Sequence, residues 1–360
     1  MIILQSFYWN CNQNWWNELN YLVEAFKEKQ FDQVWLPPPT KGMSGEKSMG
    51  YDIKKHYDLN SRFGTEESLK RLIDNLHSKN IEVMADLVMG HMIGGDLEQN
   101  PLLNKETYTS FKEEKFPKNF NHFCHKCGQC NSENSFGETI CYYGDNSYMK
   151  NGLIKWAKWL KNDIGFDSFR MDNLKDMRWD FIKDFAKEFK DTFILGEYWD
   201  HNDDIIKDLI SYSNINLFNF PLYYPIKEMC MNPDYIISDL KKVSSHKKVN
   251  FLANHDIERD HRENMEAITV NKELGYAYAL MQDTPLVIFW SDYFEYNMKK
   301  QIDELIKIRK QTEDNDLEEN FINDHIYSAK RGNFEVVVNN GIEPYTHKGV
   351  KIEGQEYKII

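Results

Sequence analysis

No run of the sequence approaches the roughly 20 consecutive apolar residues that a membrane-spanning helix requires. The N-terminal segment MIILQSFYWNCNQ also lacks the basic start and the small-residue cleavage site of a secretory leader. We therefore expect a protein without a membrane partner, whose mature chain begins at Met1 in the cytoplasm.

Basic residues are scarce relative to acidic ones. The chain has 44 Lys and Arg against 57 Asp and Glu, which gives a net charge of −13, and the acidic residues are scattered along its length. Because a surface that binds nucleic acid concentrates positive charge, we expect no nucleic-acid partner. A heptad repeat is also missing, so the sequence indicates no coiled-coil assembly and leaves the oligomeric state undetermined.

What the sequence does contain is a regular alternation of short β-branched or aromatic runs with longer amphipathic stretches. The 360 residues are 41% hydrophobic, enough for a sizeable core. Eight strand candidates, each followed by a helix candidate, cover residues 2–9, 33–37, 81–88, 166–172, 193–199, 216–224, 249–256 and 285–290. The clearest helices are TEESLKRLIDNLHSKN, YMKNGLIKWAKWLKNDIG and MKKQIDELIKIRKQ. Eight βα units predict a closed (β/α)8 TIM barrel with its site in the loops after the strands.

Two segments depart from this alternation. Residues 92–146, after the third strand, are rich in Asn, Gly, Lys and Cys and are too long for an ordinary βα loop, so we expect an inserted subdomain there. Residues 315–360 alternate in polarity, with turn signals at Arg331-Gly332 and at 339–341, and predict a small C-terminal antiparallel β-domain. The barrel itself is then formed by residues 1–91 and 147–314.

Acidic residues fall at the ends of four strand candidates: Asp86, Asp172, Glu197 and Asp256 follow or end the third, fourth, fifth and seventh. A single Asp after a strand is more often a helix N-cap or a turn residue. Four acids at the end of a barrel where chemistry takes place instead favour a catalytic group.

The segments around these acids carry a family resemblance. DLVMGH (86–91), GFDSFRMDNLKD (165–176), LGEYW (195–199) and FLANHD (251–256) resemble, in order and spacing, the four sequence regions of the α-amylase family of glycoside hydrolases. FYWN, WLPPP and GYDIKKHYDLNSRFGT (50–65) are similar to the first strands and second loop of that family. The resemblance covers residues 2–310. It implies retaining hydrolysis of α-1,4-glucosidic bonds in starch, glycogen or maltooligosaccharides.

The resemblance also implies roles for individual residues. Asp172 matches the nucleophile, Glu197 the general acid/base, and Asp256 the third carboxylate, which binds sugar hydroxyls. Substrate-binding positions match at Tyr51, His91, Arg170, Lys175 and His255, and Trp199 is a further candidate because it follows Glu197 by two residues. A retaining glycosidase holds its two carboxyl groups about 5 Å apart. Arg170, on the same strand face as Asp172, should keep that residue ionised, and burial should raise the pKa of Glu197.

The insertion contains a metal-binding pattern. Cys124, Cys127, Cys130 and Cys141 form a Cys-x2-Cys-Gly knuckle followed by two further thiols, and four thiolates fit tetrahedral zinc. We predict a structural zinc site; an iron–sulfur cluster, disulfides in a secreted protein, and free thiols are the alternatives.

Calcium is a second metal to consider. Many members of the family bind calcium with an Asn just before the first-region histidine and a carbonyl just after the second-region lysine. Here these positions are Gly90 and Asp176, and Gly90 offers no side-chain oxygen, which puts calcium in question.

Other functions share parts of this pattern. A 4-α-glucanotransferase or an enzyme that trims short maltooligosaccharides has the same fold and acids, and the acids do not separate them from an amylase. A non-catalytic glucan-binding or scaffold barrel is disfavoured because all three carboxylates are present, and a nucleic-acid-binding zinc ribbon is disfavoured by the acidic charge. Endo or exo cutting, chain length and branch tolerance are not determined by the sequence.

Overall fold

Eight parallel strands close into a barrel at the centre of the protein. The computed structural model describes residues 1–124, 137–142, 147–243, 245–259 and 266–360. Each barrel strand pairs in parallel with its sequence neighbours, and the last pairs with the first. The strands are β1 (Ile2–Gln5), β2 (Gln33–Leu36), β3 (Glu82–Leu87), β4 (Ser168–Met171), β5 (Ile194–Gly196), β6 (Asn216–Phe218), β7 (Lys248–Phe251) and β8 (Leu286–Phe289). The predicted (β/α)8 barrel is confirmed.

Helices follow the strands and pack their apolar faces on the barrel. Within the described residues they are α1 (Trp15–Glu28), α2 (Glu66–Ser78), α3 (Ser147–Trp159), α4 (Trp179–Glu188), α5 (Asp203–Ser213), α6 (Phe220–Met231), α7 (Lys272–Met281), α8 (Trp290–Phe294) and α9 (Lys299–Gln311). In α2 the Thr65 side chain caps the first turn by accepting from Ser68 N at 3.2 Å. None of the helices in the described ranges is long and apolar enough to cross a membrane.

The strands are shorter at their carboxyl ends than the sequence predicts. The prediction of a strand over 216–224 was wrong in its second half, because β6 ends at Phe218 and α6 begins at Phe220. The aromatic residues of this run favour a strand by propensity alone. Pro221, however, lies in the first turn of α6, where its missing N–H costs nothing, whereas in a central strand it would remove a ladder hydrogen bond.

Where the structure describes it, the insertion after β3 contains short antiparallel pairs. A hairpin joins Asp96–Asn100 to Lys105–Ser110, and His91–Met92 pairs with Glu138–Thr139. A bridge between Phe123 and Ile140 extends the second pair. The segment therefore returns to the barrel beside the end of β3.

A buried charged cluster ties the insertion to the loop after β2. Lys118 Nζ lies 2.9 Å from Glu113 Oε2 and 3.1 Å from His56 Nδ1, and the ammonium is fully buried. Burial lowers the pKa of Lys118 to about 8, against the opposing charge of Glu113. Burial would raise the pKa of Glu113, but the neighbouring His56 and the bond from Lys118 bring it to about 2. At neutral pH the cluster is thus an ion pair.

The C-terminal segment forms a second sheet. Its strands, β9 (Glu318–Phe321), β10 (Ile326–Arg331), β11 (Phe334–Asn339) and β12 (Glu356–Ile359), are antiparallel and pair in chain order. The β10–β11 turn passes through Gly332 at φ 54°, as the Arg331-Gly332 signal predicts. Tyr327 of this sheet packs against Tyr278 of α7, with ring centroids 5.1 Å apart. The sheet therefore shares the hydrophobic core of the barrel.

The buried cluster leads to a prediction about stability. We expect Lys118→Met to lower the free energy of unfolding by about 3–5 kcal/mol, because it leaves the Glu113 carboxylate buried without its cation. Chemical denaturation followed by circular dichroism measures this loss. The control is Lys112→Met, because the Lys112 ammonium is 78% exposed and pairs with Asp96 at the surface, so its removal should leave stability unchanged. Equal stability of the two variants would show that the cluster does not hold the insertion.

Candidate active site

One buried arginine gathers three carboxylates at the carboxyl end of the barrel. Arg170 Nη1 donates hydrogen bonds to Asp86 Oδ1 and to Asp172 Oδ1, both at 2.8 Å. Arg170 Nη2 forms an ion pair with Glu197 Oε2 at 2.8 Å, but the angle between them does not suit a hydrogen bond. The register of the barrel strands brings these residues together. Arg170 in β4 lies opposite Asp86 in β3. Asp172 directly follows β4, and Glu197 directly follows the neighbouring β5. The Arg170 side chain is fully buried.

The two carboxyl groups on opposite sides of the guanidinium are in different environments. Asp172 accepts a charge-assisted hydrogen bond from Arg170 at 2.8 Å. Burial, together with the charges of Asp172 and Asp256, raises the pKa of Glu197 to about 7 against the opposing charge of Arg170. Glu197 Oε1 has no hydrogen-bond partner in the described residues. The pair therefore offers a carboxylate and a neighbouring acid that retains its proton near neutral pH.

Asp86 plays a supporting part rather than facing the cleft. It is fully buried, and its Oδ2 accepts from Tyr51 Oη at 2.7 Å and from Trp35 Nε1 at 3.1 Å. Asp86 thus fixes both Arg170 and the ring of Tyr51.

The rings of Trp9 and Tyr51 line one wall of the site, and the buried ring of His255 lies parallel to both. The ring of Tyr51 is stacked on His255 at 4.9 Å and 10°, and Trp9 lies parallel to both, with centroids 6.2 and 6.3 Å away. Burial and the charge of Arg170 hold the pKa of His255 well below its usual range, so its imidazole is neutral. A sugar ring can stack on such a wall and hydrogen-bond its edge.

Asp256 enters the cleft from the turn after β7. The Asn254 side chain accepts from Asp256 N at 3.0 Å, which fixes the start of this turn. Burial and the charge of Asp172 raise the pKa of Asp256 to about 6, against the opposing charge of Arg170. His91 approaches from the other side, with Nε2 2.7 Å from the Tyr51 carbonyl oxygen.

These side chains surround a cavity of about 470 Å³. Of the residues predicted from the sequence, the cavity wall includes Tyr51, His91, Asp172, Glu197, Trp199 and Asp256. Arg170 and His255 are buried behind the wall. Lys175 lies beside the cavity, where its exposed ammonium is 3.5 Å from Asp200 Oδ2. The structure therefore brings eight of the nine predicted catalytic and substrate-binding residues to one cleft and places Lys175 next to it.

Sequence reasoning missed several residues of this wall, among them an aromatic and a cationic side chain. Trp9 and Arg259 both line the cavity, and the Arg259 guanidinium carbon lies 3.9 Å from the centroid of the Trp9 ring. Trp9 was assigned to the first predicted strand, whereas β1 ends at Gln5 and leaves Trp9 in the loop that faces the cleft. Arg259 follows Asp256 by three residues, and that short spacing was the available signal.

The cysteine pattern is described only in part. Cys124 N donates to Thr139 O and Cys141 N donates to His122 O, both at 2.9 Å, so these two cysteines lie on paired segments. Cys127 and Cys130 lie outside the described residues. The four-cysteine zinc site stays a prediction.

The position implied for calcium does not provide the ligands of that ion. A Cβ at Gly90 would lie 3.2 Å from the Cβ of Asp176, so Asp176 occupies the space where an asparagine side chain would project. The Asp176 carboxylate accepts from Asn173 Nδ2 at 2.7 Å. Among the residues that the structure describes, no group of three or more His, Cys, Asp or Glu side chains is placed to hold a metal ion.

Comparison with known proteins agrees with this geometry. Residues 16–325 match the family model described as "Alpha amylase, catalytic domain". The chain is 24% identical over 339 residues to "Probable alpha-amylase 2" of Arabidopsis thaliana, covering 86% of this chain and 80% of that protein. It is 24% identical over 366 residues to the "Cytoplasmic alpha-amylase" of Escherichia coli, covering 81% and 74%. The solved structure of an Anoxybacillus alpha-amylase has a TM-score of 0.76 at 18% identity, covering 99% of this chain and 96% of that one. Since the family model matches most of its length, this chain belongs to the α-amylase family of glycoside hydrolases.

Proposed function

We propose that this protein hydrolyses α-1,4-glucosidic bonds of starch, glycogen or maltooligosaccharides by a retaining double displacement. The observation that carries the proposal is the Arg170 guanidinium, which holds Asp172 and Glu197 on its two terminal nitrogens at 2.8 Å each. Contact with the same guanidinium keeps the two carboxyl groups near each other, as the spacing of about 5 Å in retaining enzymes requires.

In the first step Asp172 attacks the anomeric carbon while Glu197 donates its proton to the departing glycosidic oxygen. The bond to the leaving sugar breaks as the glycosyl ester of Asp172 forms. In the second step Glu197, now a carboxylate, takes a proton from water, and the resulting hydroxide attacks the same carbon and releases Asp172. Two inversions give net retention.

The other residues bind and orient the sugar in this proposal. We assign to Asp256 and His255 hydrogen bonds with hydroxyl groups of the sugar at the cleavage point, and to His91 a contact with the same ring. Tyr51 supplies the stacking surface. Trp199, whose indole is stacked on Phe220 at 4.9 Å and bonds Tyr224 through Nε1, offers a rigid platform for the leaving part of the chain. Lys175 is an acceptor-side contact beyond it.

We further propose a cytoplasmic site of action, where stored glucan or imported oligosaccharides are the available substrates. The similarity to the "Cytoplasmic alpha-amylase" of Escherichia coli supports this location.

Product analysis tests the reaction. With maltoheptaose as substrate, we expect chromatography to show only shorter maltooligosaccharides, and we expect Glu197→Gln to lower kcat by about 10³-fold because the general acid is lost. The control is Glu188→Gln, since Glu188 pairs with Lys158 at the surface, and its kcat should equal that of the wild type.

Two results would replace the proposal. Products longer than maltoheptaose would identify a glucanotransferase. Failure of the wild type to turn over any substrate, with binding retained, would identify a glucan-binding protein.

The raised pKa of Glu197 predicts the pH dependence. The folded enzyme needs Glu197 protonated, so kcat/KM should fall as pH rises through about 7, tenfold for each further unit. An α-maltosyl fluoride substrate separates the causes, because departure of fluoride needs no proton from the enzyme. The alkaline decline should be absent with the fluoride, and an identical decline with both substrates would assign it to a group other than Glu197.

We propose separately that the cysteine cluster binds zinc and that this zinc orders the insertion. We expect about one zinc per chain by elemental analysis, and expect Cys141→Ser to lose the metal and to lower the melting temperature. Cys11→Ser is the control, because Cys11 is buried alongside Trp15 in the barrel core and should leave the zinc content unchanged. Purified protein with four titratable thiols and no metal, or with disulfides in their place, would exclude zinc.

A further inference from the structure

The turn after β7 sends its side chains in two directions. Asp256 and Arg259 line the cavity, whereas Glu258 between them is turned inward and only 8% exposed. The backbone of the turn is closed by Glu258 N bonding Asn254 O at 3.1 Å. Whatever holds Glu258 therefore also sets the placement of the two residues that face the substrate.

Glu258 is held by a lysine at the start of the next helix. Lys272 Nζ lies 2.7 Å from Glu258 Oε1 and 2.8 Å from Asp292 Oδ1, and Asp292 is fully buried in α8. Tyr276, one turn along α7, donates to Asp292 Oδ2 at 2.7 Å. One ammonium thus joins the turn after β7 to the helix after β8.

This arrangement opposes a local preference of the chain. A positive charge at a helix N-terminus is unfavourable because the helix dipole is positive there, and Lys272 is the first residue of α7. Burial would also lower the pKa of Lys272, but the charges of Asp292 and Glu258 outweigh it and raise that pKa above its usual value. The ammonium stays charged, and the two carboxylates explain why a lysine is tolerated at this place.

Loss of the ammonium would leave two carboxylates facing one another in a buried space. Glu258 would then gain by turning toward solvent, and the turn that carries Asp256 and Arg259 would move with it. A displacement on the order of 1 Å at a catalytic group is enough to reduce a rate by about 10²-fold.

We propose that Lys272 is a positioning residue, which sets Asp256 and Arg259 in the cleft by bridging Glu258 to Asp292. The inference rests on the proposed hydrolysis and adds to it a residue that touches neither the substrate nor the reacting atoms.

The test compares two buried lysines, one that contacts the turn after β7 and one at the start of β7. Lys272→Met removes the bridge, and Lys248→Met is the matched control, because Lys248 begins β7 at the opposite end of the barrel and its fully buried ammonium pairs with Asp203. Assayed on maltoheptaose well below each melting temperature, Lys272→Met should lower kcat by roughly 10- to 100-fold with KM changed less than threefold. Lys248→Met should lower the melting temperature but leave kcat within about twofold.

A second variant tests the same role in case Lys272→Met does not fold. Glu258→Gln keeps Lys272 paired with Asp292 and leaves the pair neutral, so it should fold and lower kcat in the same direction by a smaller factor. Lys272→Arg, which can contact both carboxylates, should restore part of the rate. Wild-type kcat in both Lys272→Met and Glu258→Gln would overturn the proposal.

Hydrogen exchange measured by mass spectrometry gives a readout that does not depend on activity. Peptides covering 254–259 should exchange faster in Lys272→Met than in the wild type or in Lys248→Met. If the wild type is inactive on maltoheptaose, the proposed hydrolysis fails while this comparison still decides the role of Lys272. Unchanged exchange at 254–259 together with an active wild type would overturn the positioning role alone.

Discussion

The arrangement of the cleft depends on the Arg170 guanidinium. A guanidinium in a fully buried place requires compensating charge, and Asp86, Asp172 and Glu197 supply it from three adjacent positions of the barrel. The same cation that makes burial of three acids tolerable also makes them unequal, because each contacts it differently and differs in its other neighbours. Asp86 also bonds Tyr51 and Trp35, Asp172 accepts a bond from Arg170, and the pKa of Glu197 is raised to about 7. The charge of Arg170 therefore both allows the three acids to be buried together and contributes to the differences between them.

That the acids share one cleft could be predicted from the sequence, because a closed parallel barrel presents the carboxyl ends of all its strands at one face. Acids that directly follow barrel strands therefore lie at the same face of the barrel, and this can be inferred without knowing any tertiary contact. Asp172, Glu197 and Asp256 satisfy this condition, and the family resemblance then separates their roles. The barrel and the C-terminal sheet followed from periodicity and turn residues in the same way.

What could not be predicted depends on where a strand stops and on contacts distant in sequence. Trp9 continues an apolar run, and only the pairing of β1 with β2 and β8, which ends at Gln5, shows that it belongs to a loop. Lys272 has the sequence appearance of a surface residue at a helix start. Its partners Glu258 and Asp292 are 14 and 20 residues away, and their convergence is a property of the closed barrel rather than of any local pattern.

Helix α7 links two parts of the protein that are usually considered separately. Its first residue holds the Asp256 turn, and Tyr278 further along packs under Tyr327 of the C-terminal sheet. Gly275 lets the helix lie so close to β7 that a Cβ there would meet Leu252 at 2.4 Å. Trimming the chain to its eight βα units would uncover one side of this helix. The smallest working unit for engineering therefore includes the tail, although no residue of the tail lines the cleft.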